Sequence, residues 1–132
     1  RVLFRSIVAH RYELMASYAR EVRMACSAEL SRLKAERQQG AADKLARVRK
    51  WLHRDEDKVP QALRPDLAHA LADHPKLAKL IAMREELRQC WTKTNVSAEQ
   101  LAHDLQAWCQ QAEASGIQAL QDFSRKLRAA TA

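Results

Sequence analysis

A chain of 132 residues supports one hydrophobic core, and its 23 Lys and Arg outnumber 16 Asp and Glu for a net charge of +7. With two Gly, three Pro and abundant Ala, Leu, Glu, Gln, Lys and Arg, the composition favours helix, and no segment alternates apolar and polar long enough for a strand. Three cysteines (Cys26, Cys90, Cys109), odd in number, far apart and without any C-x-x-C spacing, indicate neither a disulfide framework nor a zinc site.

The longest apolar run, Leu80-Ile81-Ala82-Met83, falls far short of the roughly 20 residues that span a bilayer. No basic stretch leads into an apolar core, so no secretion signal is legible, and reduced thiols suit a cytosolic setting. Arg1-Val2-Leu3-Phe4-Arg5-Ser6 reads as a translated adapter sequence. With no initiator Met, residues 1–6 are set aside and the chain reads as truncated at its N-terminus. The charge is uneven: residues 1–50 hold 12 Lys and Arg against 5 acids, while residues 51–132 hold 11 of each. A basic half fits nucleic acid, anionic lipid or an acidic protein surface, and also a merely solvated helix face.

In chain order, helix 1 is expected from Ile7 to about Arg37, with Val8, Met15, Tyr18, Val22, Cys26, Leu30 and Leu33 as its apolar stripe. Gly40 suits the left-handed position that ends it. Helix 2, about Ala41 to Arg54, turns Ala41, Leu45, Val48 and Leu52 inward and folds back on helix 1 as a hairpin. The charged segment from Asp55 to Pro60 is the best internal boundary. Helix 3, roughly Gln61 to Asp73, buries Leu63, Leu67 and Leu71, its regular part starting near Arg64 because Pro65 must lie in the first turn.

Pro75 breaks the chain after His74 and opens helix 4, which runs to about Thr92 with Leu77, Leu80, Ile81, Leu87 and Trp91 inward. Thr94-Asn95-Val96 is a loop. Ser97 with Gln100 forms a capping box, and Val96 is placed to staple against Leu101. Helix 5 buries Leu101, Leu105, Trp108 and Ala112. It turns at Ser115-Gly116 into helix 6, which buries Ile117, Leu120, Phe123 and Leu127.

No catalytic, cofactor-binding or metal residue emerges. His69 and His74 are five apart, about 140° around a helix, and read as two surface histidines. His69 with Asp73 and Glu99 with His103 are ordinary i,i+4 neighbours. Glu85 and Glu86 are adjacent, with Arg84 and Arg88 beside them, and read as a solvated face rather than an acid/base pair. Cys26, Cys90 and Cys109 sit among apolar neighbours, where thiols are inert. Trp51, Trp91 and Trp108 fall on or beside apolar stripes and read as core, which leaves the basic residues without interleaved aromatics for nucleic acid.

Met83–Thr94 (MREELRQCWTKT), Leu105-Gln106-Ala107-Trp108 and Ala112–Leu120 (AEASGIQAL) resemble the C-terminal region of bacterial membrane-bound acyl-CoA (stearoyl-type) fatty acid desaturases. His10–Tyr18 (HRYELMASY) and Trp51–Asp55 (WLHRD) are similar to segments of the same proteins. The resemblance implies an oxidoreductase parent that introduces a double bond into an acyl chain with a di-iron centre. That family's histidine clusters are missing here, so no catalytic residue carries over. This stretch would be a cytoplasmic, non-catalytic appendage at the inner membrane. Its partners would be the membrane catalytic core of its own parent, and anionic headgroups or an electron-donor protein through the basic half.

The second half, from helix 3 through Lys126, also resembles the helical insertion of bacterial insertion-sequence transposases with an Asp-Asp-Glu catalytic domain. Glu85, Leu87 and Trp91 precede the hairpin of Trp108, Ala112, Ser115 and Ile117. This alternative implies a DNA-associated accessory region. On either reading the expected fold is all-α, with no β-sheet: a long basic hairpin at residues 7–54, then a small four-helix bundle with a C-terminal hairpin at 61–132.

Overall fold

Helix follows helix: α1 (Val2–Ala35), α2 (Gln39–Val48), α3 (Arg64–Asp73), α4 (Pro75–Thr92), α5 (Ala98–Ala114) and α6 (Gln118–Thr131). Short 3-10 turns lie at Arg49–Trp51, Glu56–Lys58 and Gln61–Leu63. The computed structural model describes residues 2–92 and 97–131, with side chains for 10–55, 57–92 and 97–130. Among these residues there is no strand, so the all-α class holds, and no helix is long and apolar enough to cross a membrane. The expected loop Thr94-Asn95-Val96 and the Val96 staple lie outside the described residues. The chain forms two compact units, one of Arg1–Tyr18 with Ala82–Ala132 and one of Ala19–Ile81.

In the first unit the core is aromatic. Tyr18 and Phe123 are wholly buried and Trp108 nearly so. Their rings meet edge to face, with centroids 4.9 Å apart for Tyr18–Phe123, 5.7 Å for Trp108–Phe123 and 6.1 Å for Tyr18–Trp108. This arrangement sets the positive edge of one ring against the negative face of the next. The Trp108 indole Nε1 donates to the Met83 carbonyl at 2.8 Å, so its polar end is satisfied inside the core.

Leu14, Met83, Leu87, Leu101, Leu105, Leu120 and Leu127 complete this packing. Leu14 takes the place expected for Met15, and Met83 and Cys90 are more buried than Ile81 and Trp91. Met15 and Trp91 lie one position along, about 100° around the helix, from Leu14 and Cys90, and Ile81 lies two positions from Met83.

Local signals end the helices of this unit. Ser97 caps α5, its Oγ accepting from the Gln100 N–H at 3.0 Å. The reciprocal half of the expected capping box is not made, because the Gln100 side chain donates to Asp104 at 2.8 Å instead. At the hairpin between α5 and α6, Gly116 adopts φ 74°, where an L side chain is strained. Ser115 secures the same turn, its hydroxyl donating to the Ala112 carbonyl at 2.6 Å and accepting from the Ile117 N–H at 3.1 Å.

The second unit is aliphatic. Val22, Cys26, Leu30 and Leu33 of α1 are buried, as are Ala42, Leu45 and Val48 of α2, with Leu52 and Val59 beyond it. Ala42 replaces Ala41 as the inward residue. The residue in the left-handed region is Arg37 (φ 61°), where Gly40 was expected; Gly40 lies inside the first turn of α2. Arg37 closes α1 as a Schellman turn: its own N–H reaches the Lys34 carbonyl at 3.1 Å, and the Gln38 N–H reaches Leu33 at 2.8 Å.

The α-helical part of α2 stops at Val48, earlier than expected, and tightens into the 3-10 turn Arg49–Trp51. The charged segment Asp55–Pro60 lies within this unit and buries Val59. Pro65 falls in the first turn of α3, as its missing N–H requires. Ala70 is the buried residue of that helix, while Leu63, Leu67 and Leu71 are only half-buried.

Candidate nucleic-acid interface

Between Lys44 and Arg54 the chain carries Lys44, Arg47, Arg49, Lys50 and Arg54 and no carboxylate. Arg47 lies in the last turn of α2, and in the 3-10 turn and bend that follow, Lys50 and Arg54 lie against Trp51. Burial of Leu45, Val48 and Leu52 leaves the cations exposed.

The Lys50 ammonium lies 4.9 Å from the centre of the Trp51 ring and the Arg54 guanidinium 5.6 Å, while Arg54 Nε donates to the Lys50 carbonyl at 3.3 Å. Trp51 is half-buried, not a core residue. The basic stretch therefore does contain an interleaved aromatic, contrary to the reading of Trp51 by its neighbour Leu52. Among the described residues Arg47 has one ion-pair contact, a long one with Asp66 at 3.9 Å, with both side chains well exposed. Such a pair leaves the cation open to solvent and to another anion.

Beside this stripe, Lys44 and Arg47 of α2 and Asp66, His69, Ala70 and Asp73 of α3 line an open cleft of about 280 Å³. His69 is exposed there, as expected, but His74 is not: it is 5% exposed, with Nδ1 3.4 Å from the Glu29 carboxylate. Pro75 explains the difference. It ends α3 at Asp73 and makes His74 the junction residue, whose carbonyl accepts the Ala78 N–H at 2.9 Å. The two rings are not brought together as ligands, and among the described residues no three His, Cys, Asp or Glu form a metal-binding group.

The remaining candidates resolve into structural roles. Glu85 receives both Nε and an η-nitrogen of Arg88, the closest contact at 2.6 Å, forming an ion pair along α4. Glu99 and His103 are both exposed. All three thiols are buried, and burial pushes those of Cys26 and Cys109 above their ordinary pKa, away from reactivity. Burial likewise pushes the Tyr18 phenol far up.

On α5 and α6, Glu113 takes Arg128 in two contacts of 2.5 and 3.1 Å and accepts the Ser124 hydroxyl at 2.7 Å. Those hydrogen bonds hold the Glu113 carboxyl below its usual range. Glu29 and Glu36 together raise Arg32.

Among the described residues the class that the structure defines is all-helical, in a chain of positive net charge with an exposed cation–aromatic stripe. Residues 5–132 match the model of the ISL3-type DDE family, described as Transposase. The chain belongs to that transposase family. Among curated proteins and solved structures nothing matches.

The family match covers residues 5–132, which include the HRYELMASY segment of α1 that entered the desaturase resemblance. Nothing supports the desaturase reading, its membrane-core partner or its di-iron parentage. The HRYELMASY segment contributes Leu14 and Tyr18 to the core, a four-residue spacing that any amphipathic helix supplies. Such a segment is a weak identifier.

Proposed function

We propose that the chain is a helical accessory region of an ISL3-type transposase that associates with DNA through α2 and the turn after it, and that carries none of the catalytic residues. The observation that carries this reading is the Lys44, Arg47, Lys50, Trp51 and Arg54 stripe, taken with the family. Its cations have no carboxylate within close ion-pair distance among the described residues, the 3.9 Å Arg47–Asp66 contact being the nearest. They are therefore free to neutralise phosphates and release counterions.

The Asp-Asp-Glu set that names the family would need carboxylates gathered around metal ions. Among the described residues no three acids, histidines or cysteines form such a group, and Glu29, Glu36, Glu85, Asp122 and Glu113 are instead engaged with Arg32, Arg88, Arg125 and Arg128. No catalytic step is derived from them.

Fluorescence anisotropy of a labelled duplex of about 20 base pairs, two helical turns, tests the reading on the whole chain. About four phosphate contacts give a slope near −3 to −4 in log K against log salt, a loss of about 100-fold between about 50 and 200 mM salt. No binding at the lower salt, or a slope near zero, contradicts it.

A further inference from the structure

We propose that Trp51 is a stacking platform for an unpaired base, so that the α2 surface prefers single-stranded or frayed DNA to fully paired duplex. The inference rests on the DNA-associated reading above and adds the form of DNA that is recognised.

Trp51 and Trp108 show the contrast that carries it. Trp108 is 3% exposed, its ring packed edge to face with Tyr18 and Phe123 and its Nε1 donating to the Met83 carbonyl. That is how this chain builds an indole into its interior. Trp51 instead stays half-buried on an exposed basic turn, with Lys50 and Arg54 drawn over its ring. Both covering groups are the ends of long, exposed side chains at i−1 and i+3, and neither is held by a carboxylate among the described residues. They shield the indole in the free protein and are able to swing off it onto phosphates.

A ring uncovered in that way presents a flat apolar face between two cations. That combination holds a single strand, because every base has a π-face and every linkage a negative charge. A fully paired duplex offers the phosphates but no free base face. The arrangement thus discriminates by pairing state and is indifferent to sequence. The 3-10 turn at Arg49–Trp51 matters here, since it sets Trp51 where α2 ends.

The test compares the whole chain on an oligothymidylate of about ten nucleotides and on a blunt duplex of about 20 base pairs, by anisotropy at one low salt concentration. The expectation is that Trp51→Ala weakens strand binding about tenfold while duplex binding changes less than about twofold. Trp51→Phe should keep most of the strand affinity, and Trp51→Leu, similar in apolar character but without a π-face, should lose it. The Phe and Leu variants keep the test decisive if the Ala variant does not fold.

Equal losses on strand and duplex, or equal strand affinity for the Phe and Leu variants, overturn the stacking role and leave the DNA-associated reading standing. Failure of the wild-type chain to bind either probe overturns both.

Discussion

The unit of Arg1–Tyr18 with Ala82–Ala132 uses its charges within the fold, whereas the unit of Ala19–Ile81 leaves many of them unmatched. The first carries nine Lys and Arg against seven acids, and the second 14 against nine. In the first, Arg88 pairs with Glu85, Arg125 with Asp122 and Arg128 with Glu113, while Lys126 donates to Ser17 at 2.9 Å. In the second, Arg32 is well paired with Glu29 and Glu36, but Lys44, Arg47, Lys50 and Arg54 project from one 11-residue stretch with, among the described residues, a single long contact to an acid. The core differs in the same sense: three interlocked rings in the first, an aliphatic stripe in the second. Charge that does not serve the fold is the charge available to a partner.

That division predicts graded outcomes. The largest is in the aromatic core: Phe123→Ala should cost about 3–5 kcal/mol in denaturant melts, because Phe123 is fully buried and touches both other rings. A cost below about 1 kcal/mol would mean that the rings do not organise this unit. Next, Ser97→Ala should cost about 1 kcal/mol by removing the acceptor for the Gln100 N–H. Ser97→Gly, which keeps a permissive backbone, should cost only a few tenths.

The second unit should respond in the opposite direction to a backbone change. Arg37→Gly should stabilise by roughly 0.5–1 kcal/mol, since Arg37 occupies a left-handed conformation that costs an L residue about 1–2 kcal/mol. Gly116→Ala should destabilise for the mirror reason. The smallest effect is a pH dependence. The Arg128 and Ser124 hydrogen bonds lower the folded-state pKa of Glu113 from its ordinary 4.5. The stabilisation is therefore present above that ordinary value and is lost as pH falls through the lower folded value. Glu113→Gln should flatten the decline in melting temperature below about pH 4 and leave it unchanged in slope near neutrality.

What was legible in the sequence was local. Pro75 and the stripe from Leu77 set α4 at the same bounds that the structure has, Pro75–Thr92. Ser97 and Gly116 marked their helix ends because a hydroxyl cap and a positive φ each need a particular residue type.

The misreadings arose where context outweighs type. Leu14 and Met15 are both apolar and adjacent, so spacing alone does not decide which faces inward. Arg37 took the left-handed position because the chain turns two residues beyond Ala35, and Gly40 comes too late to serve. His74 looked exposed because its burial depends on Glu29, 45 positions away in the chain. Trp51 looked like core because Leu52 follows it, although the cations Lys50 and Arg54 on either side of it were already legible. Family identity was legible only as one of two resemblances, since helical hairpins with similarly spaced Trp, Ala and Ile arise wherever two amphipathic helices pack.

The central claim is that DNA contacts come from the second unit's unmatched cations and not from basic character in general. The most direct measurement is the salt dependence of duplex binding for two charge-matched variants of the whole chain, Lys50→Gln with Arg54→Gln and Arg125→Gln with Lys126→Gln. The account predicts that the first pair lowers the slope of log K against log salt by about 2 and the second by less than about 0.5, with both variants melting near the wild type. Equal slopes for the two pairs, or a larger change from Arg125 and Lys126, would contradict it.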